Sequence, residues 1–83
     1  LDENTWKASG MFDLYQLELE LGMLDLVEED ANYFSVGGLI LDKTQGHVQV
    51  GTAINFKEIS FEVLEMEDNR IKSVKIVRPQ FLS

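Results

Sequence analysis

Two alternating apolar runs meet at a turn dipeptide near the end of this chain, and their pairing restricts the possible folds more than any other feature. Ile59–Met66 and Ile71–Val77 are rich in Ile, Val and Phe and alternate in polarity, as half-buried strands do. Asp68-Asn69 between them supplies hairpin-turn residues, because both side chains tolerate the left-handed backbone that a tight turn requires. Ile59, Phe61 and Val63 share one parity, whereas Leu64 and Met66 take the other. That switch predicts a bulge, or a strand buried on both sides at its end. Thr52–Phe56 reads as a third strand, and Pro79 ends regular pairing after the last one.

The first half reads differently. Thr5–Ala8 around Trp6 is a short candidate strand, followed by the turn signal Ser9-Gly10. Phe12–Gly22 admits two local readings. Leu17 to Leu21 alternates like a strand, but Asp13 followed three residues later by Gln16 has the form of a capping box. With Asp13 as N-cap, Phe12 and Leu17 take the positions of a hydrophobic staple, and Leu14, Leu17 and Leu21 share one helical face. Gly22 provides a C-terminal stop, so the expected helix covers residues 14–21. Ser35 can cap a second helix over 36–44, which Gly46 ends. Gly37-Gly38 falls in its first turn, where glycine costs helix stability. Two glycines there predict a close backbone approach, by the first helix or by a ligand. The expected order is β-α-α-β-β-β: an α+β fold with two helices packed on a small, mostly antiparallel sheet. Leu17, Val74 and Trp6 are expected in the core, and in so small a domain most of the aromatic residues must serve it as well.

Composition narrows the function. Eighty-three residues fit one domain, and an apolar share of 45% suffices for a core. No apolar run approaches the ~20 residues of a membrane span, and no secretory leader is visible. The absence of Cys removes disulfides, thiolate zinc sites and cysteine nucleophiles. Starting at Leu rather than Met, the chain is expected to be a piece of a longer protein. The net charge is −8, and it is uneven: residues 1–42 hold ten acids and only Lys7, whereas residues 43–83 hold five acids and six bases. An acidic half repels phosphate backbones, so nucleic acid is not an expected partner.

Few residues suggest chemistry. His47 is the only imidazole, and Gln45-Gly46-His47 reads as an exposed turn rather than the centre of a catalytic triad. Neither a P-loop nor a G-x-G-x-x-G motif occurs. Glu28-Glu29-Asp30 is the densest acidic run and the candidate divalent-cation site, which Asp25 or Asn32 would complete in a sharp turn. Adjacent side chains diverge, however, and hard cations need several convergent oxygens, so a solvated loop is the expected reading. Ser35, Gly37 and Gly38 are the candidate cofactor-binding residues, since a helix start offers backbone N–H groups to an anion.

The order of these motifs resembles a known family. Gly10, Asp13-Leu14 and the block Glu29-Asp30-Ala31-Asn32-Tyr33-Phe34-Ser35-Val36-Gly37-Gly38-Leu39-Ile40-Leu41 are similar to its acidic–Tyr–Thr–Leu–Gly–Gly segment. Gly46 and Gly51 bracket its turn. Phe61-Glu62-Val63-Leu64-Glu65 and Arg70-Ile71-Lys72-Ser73-Val74-Lys75-Ile76 match its closing hairpin. The family is the transporter-associated domain, the CorC/HlyC C-terminal domain of CorC-type ion transporters and so-called hemolysins. Ser35 stands where Thr is usual, and the turn from Gly46 to Gly51 lacks the usual Pro and is one residue short.

The resemblance implies a domain that follows a pair of CBS modules, often behind a membrane domain, on the cytoplasmic face of the membrane. It implies a fold similar to part of the FAD-binding domain of vanillyl-alcohol-oxidase-type flavoenzymes, and a role in modulating magnesium or cobalt transport. Three readings follow: a non-catalytic regulatory module that assembles with the CBS modules and membrane domain of its parent protein, and through that parent into a homo-oligomer; a flavin (FAD) or adenine-nucleotide binder; and a direct divalent-cation sensor. The first is the expected one, with no cofactor required.

Overall fold

Asp68 and Asn69 both adopt left-handed backbone angles (φ 52° and 64°), so the chain reverses in two residues with the twist that antiparallel strands require. In the computed structural model, which describes residues 4–22, 26–27 and 31–78, this turn joins β3 (Ile59–Glu67) to β4 (Arg70–Val77). β2 (Ala53–Phe56) pairs with β3 through a second two-residue turn at Lys57-Glu58, again with positive φ at both positions. β1 (Thr5–Ser9) returns to pair with β4, from Thr5 opposite Val77 to Ser9 opposite Ser73. The sheet order is β1-β4-β3-β2, and every pairing is antiparallel.

The bulge expected from the parity switch is present, and it is one of two. Between Val63 and Glu65 the extra residue is Leu64 on β3. Between Glu65 and Met66 the shift is compensated by Lys72 on β4, because Ser73 pairs with Glu65 and Ile71 with Met66. The paired irregularities restore register and bend the hairpin. Ile59, Phe61 and Val63 point inward with Val74 and Ile76, and all five are buried. Lys7, Lys75, Glu62 and Ala53 form a row across the opposite face, which is the polar side of the sheet.

Helices α1 (Leu14–Leu21) and α2 (Val36–Thr44) occupy the expected spans and cover the apolar face. Asp13 caps α1, its Oδ1 accepting from the Tyr15 N–H at 2.7 Å, and Gly22 closes the helix in the left-handed conformation. Leu14, Leu17 and Leu21 are buried, as are Val36, Leu39 and Ile40 from α2. The reversal after α2 comes one residue earlier than expected. Gln45 takes the left-handed position, with Gly46 following at φ 82°, because the Gly46 N–H is needed by the Leu41 carbonyl.

Two charged side chains fasten the helical layer. Arg78, just beyond β4, donates from Nη1 to the Leu21 carbonyl at 2.7 Å and from Nη2 to Asn4 Oδ1 at 3.2 Å, with its guanidinium 5.5 Å from the centre of the Trp6 ring. It supplies the positive charge at the C-terminus of α1 that the helix itself lacks. Glu18 Oε2 accepts from the Leu26 and Val27 N–H groups and so holds that segment against α1. Trp6 is therefore half-buried beneath Arg78 rather than enclosed, while Leu17 and Val74 are core residues as expected.

Two outcomes follow for stability. Leu17→Ala should cost about 2–5 kcal/mol in denaturant unfolding, as for a fully buried leucine. Glu58, exposed at φ 70°, holds a backbone conformation that glycine adopts without strain. Less the entropy that glycine adds to the unfolded chain, Glu58→Gly should stabilise by about 0.5–1 kcal/mol, seen as a higher melting temperature.

Candidate functional site

The expected cofactor-binding residues lie where the two helices begin, and their backbone is committed to a junction. β1 leaves the sheet at Gly10, whose N–H still bonds the Lys72 carbonyl at 3.0 Å. The Gly10 carbonyl then accepts from the Gly37 N–H at 2.7 Å. A Cβ on Gly37 would lie 2.7 Å from that oxygen, and one on Gly10 would collide with the Ile71 carbonyl, so both partners in the contact must be glycine. The close approach foreseen at Gly37 is thus made by the turn between β1 and α1, not by the first helix itself. At Gly38 a Cβ would press on Tyr33 Cβ at 3.0 Å and Ser35 Oγ at 3.1 Å.

The two N-caps sit side by side. Asp13 and Ser35 form an antiparallel bridge, with Leu14 N–H donating to the Phe34 carbonyl and Val36 N–H to the Phe12 carbonyl, both at 2.9 Å. Ser35 Oγ accepts from Gly38 N–H at 3.0 Å. The amides of Val36, Gly37 and Gly38 are therefore all bonded within the protein, and an anion approaching α2 would have to displace those bonds.

Of the candidate cation ligands, Glu28, Glu29, Asp30 and Asp25 lie outside the described residues, and Asn32 is exposed. Among the described residues no three His, Asp or Glu side chains converge on a common point. His47 is exposed in the turn after α2, its N–H bonded to the Thr44 carbonyl at 3.1 Å.

Two features of the fold have little or no signal in the sequence. The first is a polar cluster created by the double bulge. Glu65 Oε1 accepts from Ser73 Oγ at 2.7 Å, and Lys7 Nζ stands 3.8 Å away. Three strands contribute to it, and only the parity switch at Leu64 hinted at it. A cavity of about 410 Å³ opens beside it, between the β1–α1 turn and the β3–β4 hairpin, with Glu67, Asp68, Arg70 and Lys72 on its rim. Charges of both signs meet there, Lys72 and Glu67 at 4.0 Å. The second is aromatic. Most aromatics are expected to serve the core, but Tyr15 and Phe34 are 52% and 55% exposed and stack on one another outside it. Tyr15 lies off the Leu14–Leu17–Leu21 face, which is the signal that distinguished it.

The Ser73 hydrogen bond, and after it the charge of Lys7, hold the Glu65 carboxyl below the ordinary glutamate range. A carboxylate whose folded pKa is depressed adds stability above its unfolded pKa, and that stability is lost as pH falls through the folded value. In an NMR titration Glu65 should therefore have a midpoint below that of an unperturbed glutamate. Ser73→Ala should move it upward and shrink the acid-dependent part of the stability.

Comparison with known proteins places this geometry. The family model for the transporter associated domain, CorC_HlyC, matches residues 1–80. A UPF0053 protein of Buchnera aphidicola is 31% identical over 80 residues, and the UPF0053 inner membrane protein YoaE of Escherichia coli is 30% identical over 80. In both cases the match covers 95% of this chain but 15% of the relative, so the chain spans about a seventh of their length. A domain structure from Neisseria meningitidis is 35% identical, with a TM-score of 0.78 over 89% of this chain and 96% of that one. The same fold appears in the transporter associated domain of a CBS domain protein from Porphyromonas gingivalis, 22% identical with a TM-score of 0.84 over 96% of this chain and 94% of that one. It appears again in the CorC_HlyC domain of a Xylella fastidiosa hemolysin in complex with Mg and Mn, 18% identical with a TM-score of 0.76 over 92% and 89%. Two helices on a four-stranded antiparallel sheet, with Gly10 and Gly37 at their junction, are thus the form taken here by a member of the transporter associated domain family, CorC_HlyC, to which this chain belongs.

Proposed function

We propose that residues 1–83 form a non-catalytic regulatory module of a longer, membrane-anchored protein, where they modulate the transport of magnesium or cobalt. The observation that carries this reading is the commitment of the α2 N-terminal amides to Gly10, Phe12 and Ser35. The groups best suited to hold a phosphate or a reacting oxyanion are structural, which leaves the surface as the working part of the domain. Membership of the family and the small share of its relatives that the chain spans support the same view. Among the described residues no helix is long and apolar enough to cross a membrane, so an anchor would come from elsewhere in the parent protein. The relative named as an inner membrane protein and the one named as a CBS domain protein suggest that anchor and the neighbouring modules, and we place the domain on the cytoplasmic side. The proposed module requires neither flavin nor metal.

A second reading, direct cation sensing, is favoured by two observations: the ten acids of residues 1–42 and the Mg- and Mn-bound Xylella relative. A diffuse field of that kind concentrates cations weakly and is screened within a Debye length of about 8 Å. The two readings separate in one experiment on the parent protein in proteoliposomes. Deleting the domain should change the magnesium or cobalt flux several-fold without abolishing it, whereas Glu29→Gln should leave the flux unchanged. Flux indifferent to the deletion would overturn the regulatory reading. Loss of the magnesium response in Glu29→Gln alone would promote the sensor.

A further inference from the structure

Helix α1 is apolar on two sides. Leu14, Leu17 and Leu21 are buried against the sheet, yet Leu19 is 76% exposed and Tyr15 52% exposed. Tyr15 and Leu19 are one helical turn apart, so they form a single strip facing away from Leu17. The bridge between Asp13 and Ser35 brings Phe34 beside this strip, where its ring stacks on Tyr15 at 6.2 Å with 19° between the planes. Exposed aromatic residues are enriched at interface centres, and a contiguous apolar strip of this kind marks an interaction site more often than a solvated helix face.

The charges on α1 and its cap have one sign. Asp13, Glu18 and Glu20 belong to the same helix or its cap, and the chain holds no Lys or Arg between Lys7 and Lys43. Arg78, the one base at the end of α1, is engaged with the Leu21 carbonyl and Asn4. An apolar strip rimmed by carboxylates repels anionic lipid headgroups, and it repels a second copy of a chain carrying −8. It attracts a segment that combines apolar side chains at helical spacing with flanking Lys or Arg.

We propose that the Tyr15–Leu19–Phe34 strip is a docking surface for a basic amphipathic helix of a protein partner. This surface rests on the reading of the domain as a regulatory module and supplies the contact through which such a module would act. Apolar side chains of the partner would pack against Leu19 and the Tyr15–Phe34 pair, and its bases would face Asp13 and Glu20.

The test uses the 83-residue chain and three synthetic 18-residue peptides. One is a Leu/Lys helix with leucines at i, i+3, i+4 and i+7; one has the same composition with the leucine spacing scrambled; one replaces Lys by Glu. With the first peptide, NMR shift changes should centre on the amides of residues 14–20 and 33–35. Leu19→Gln and Tyr15→Gln, each an exposed position, should raise its Kd about tenfold while leaving the melting temperature within a few degrees. The scrambled and acidic peptides should bind at least about tenfold more weakly. Equal binding of all three peptides, or no binding of the first at millimolar concentration, would overturn the proposal. So would self-association abolished by Leu19→Gln, or co-sedimentation with phosphatidylglycerol vesicles that depends on Leu19. Shifts confined to the sheet face around Lys7, Glu62 and Lys75 would overturn this surface but leave the regulatory reading intact. That reading fails separately, in the flux measurement on the parent protein.

Discussion

The contact between Gly10 and Gly37 holds the rest of the architecture in place. One carbonyl at the exit of β1 receives the N–H of the second residue of α2 at 2.7 Å, a distance that neither chain could reach with a Cβ in the way. Because Gly10 is itself bonded to Lys72, α2 is referenced directly to the central strand β4. That anchoring lets Val36, Leu39 and Ile40 fall on the apolar face of the sheet. The same junction places the Asp13 and Ser35 caps against each other, so both helices start from one hydrogen-bonded knot. The far end of the helical layer is secured by Arg78, which reaches the last carbonyl of α1 from beyond β4.

Committing these groups to structure has a functional consequence. Glycines at a helix start can serve a ligand or a neighbour, and here the neighbour takes every available donor of the first turn. A helix N-terminus whose amides are already bonded offers an anion little beyond its dipole. On the polar sheet face, Ser73 and Lys7 are both directed at Glu65. Among the described residues, the domain presents outward an uneven charge distribution and the stacked Tyr15–Phe34 pair beside Leu19.

The two hairpin turns illustrate how unevenly sequence signals report geometry. Asp68-Asn69 and Lys57-Glu58 have nearly the same backbone angles, yet only the first pair consists of residues that favour positive φ. Lys57 and Glu58 are carried into that conformation by the pairing of Phe56 with Ile59 and Ile54 with Phe61, whose burial outweighs the local cost. The bulge at Leu64 was legible from a change of parity. Its partner at Lys72 was not, because compensation across a ladder depends on the facing strand and leaves no mark in the periodicity of its own.

Local periodicity and capping chemistry determined the elements by themselves. Asp13 and Ser35 stand one residue before each helix, Gly22 closes the first, and the Ile/Val/Phe alternation sets the strands to within one or two residues. Charge was equally plain, since it needs only counting. Gly37-Gly38 also pointed to a close backbone approach, because glycine in the first turn costs helix stability. Only the tertiary structure decided what Gly37 meets, why β1 lies beside β4, and which aromatics remain in water. Those answers depend on residues brought together from distant parts of the chain, such as Gly10 with Gly37, Thr5 with Val77, and Tyr15 with Phe34. Such pairs share no local pattern. Closing those long loops is an entropy cost repaid only by the assembled core, so the pairing is settled by the whole fold and not by any segment of it.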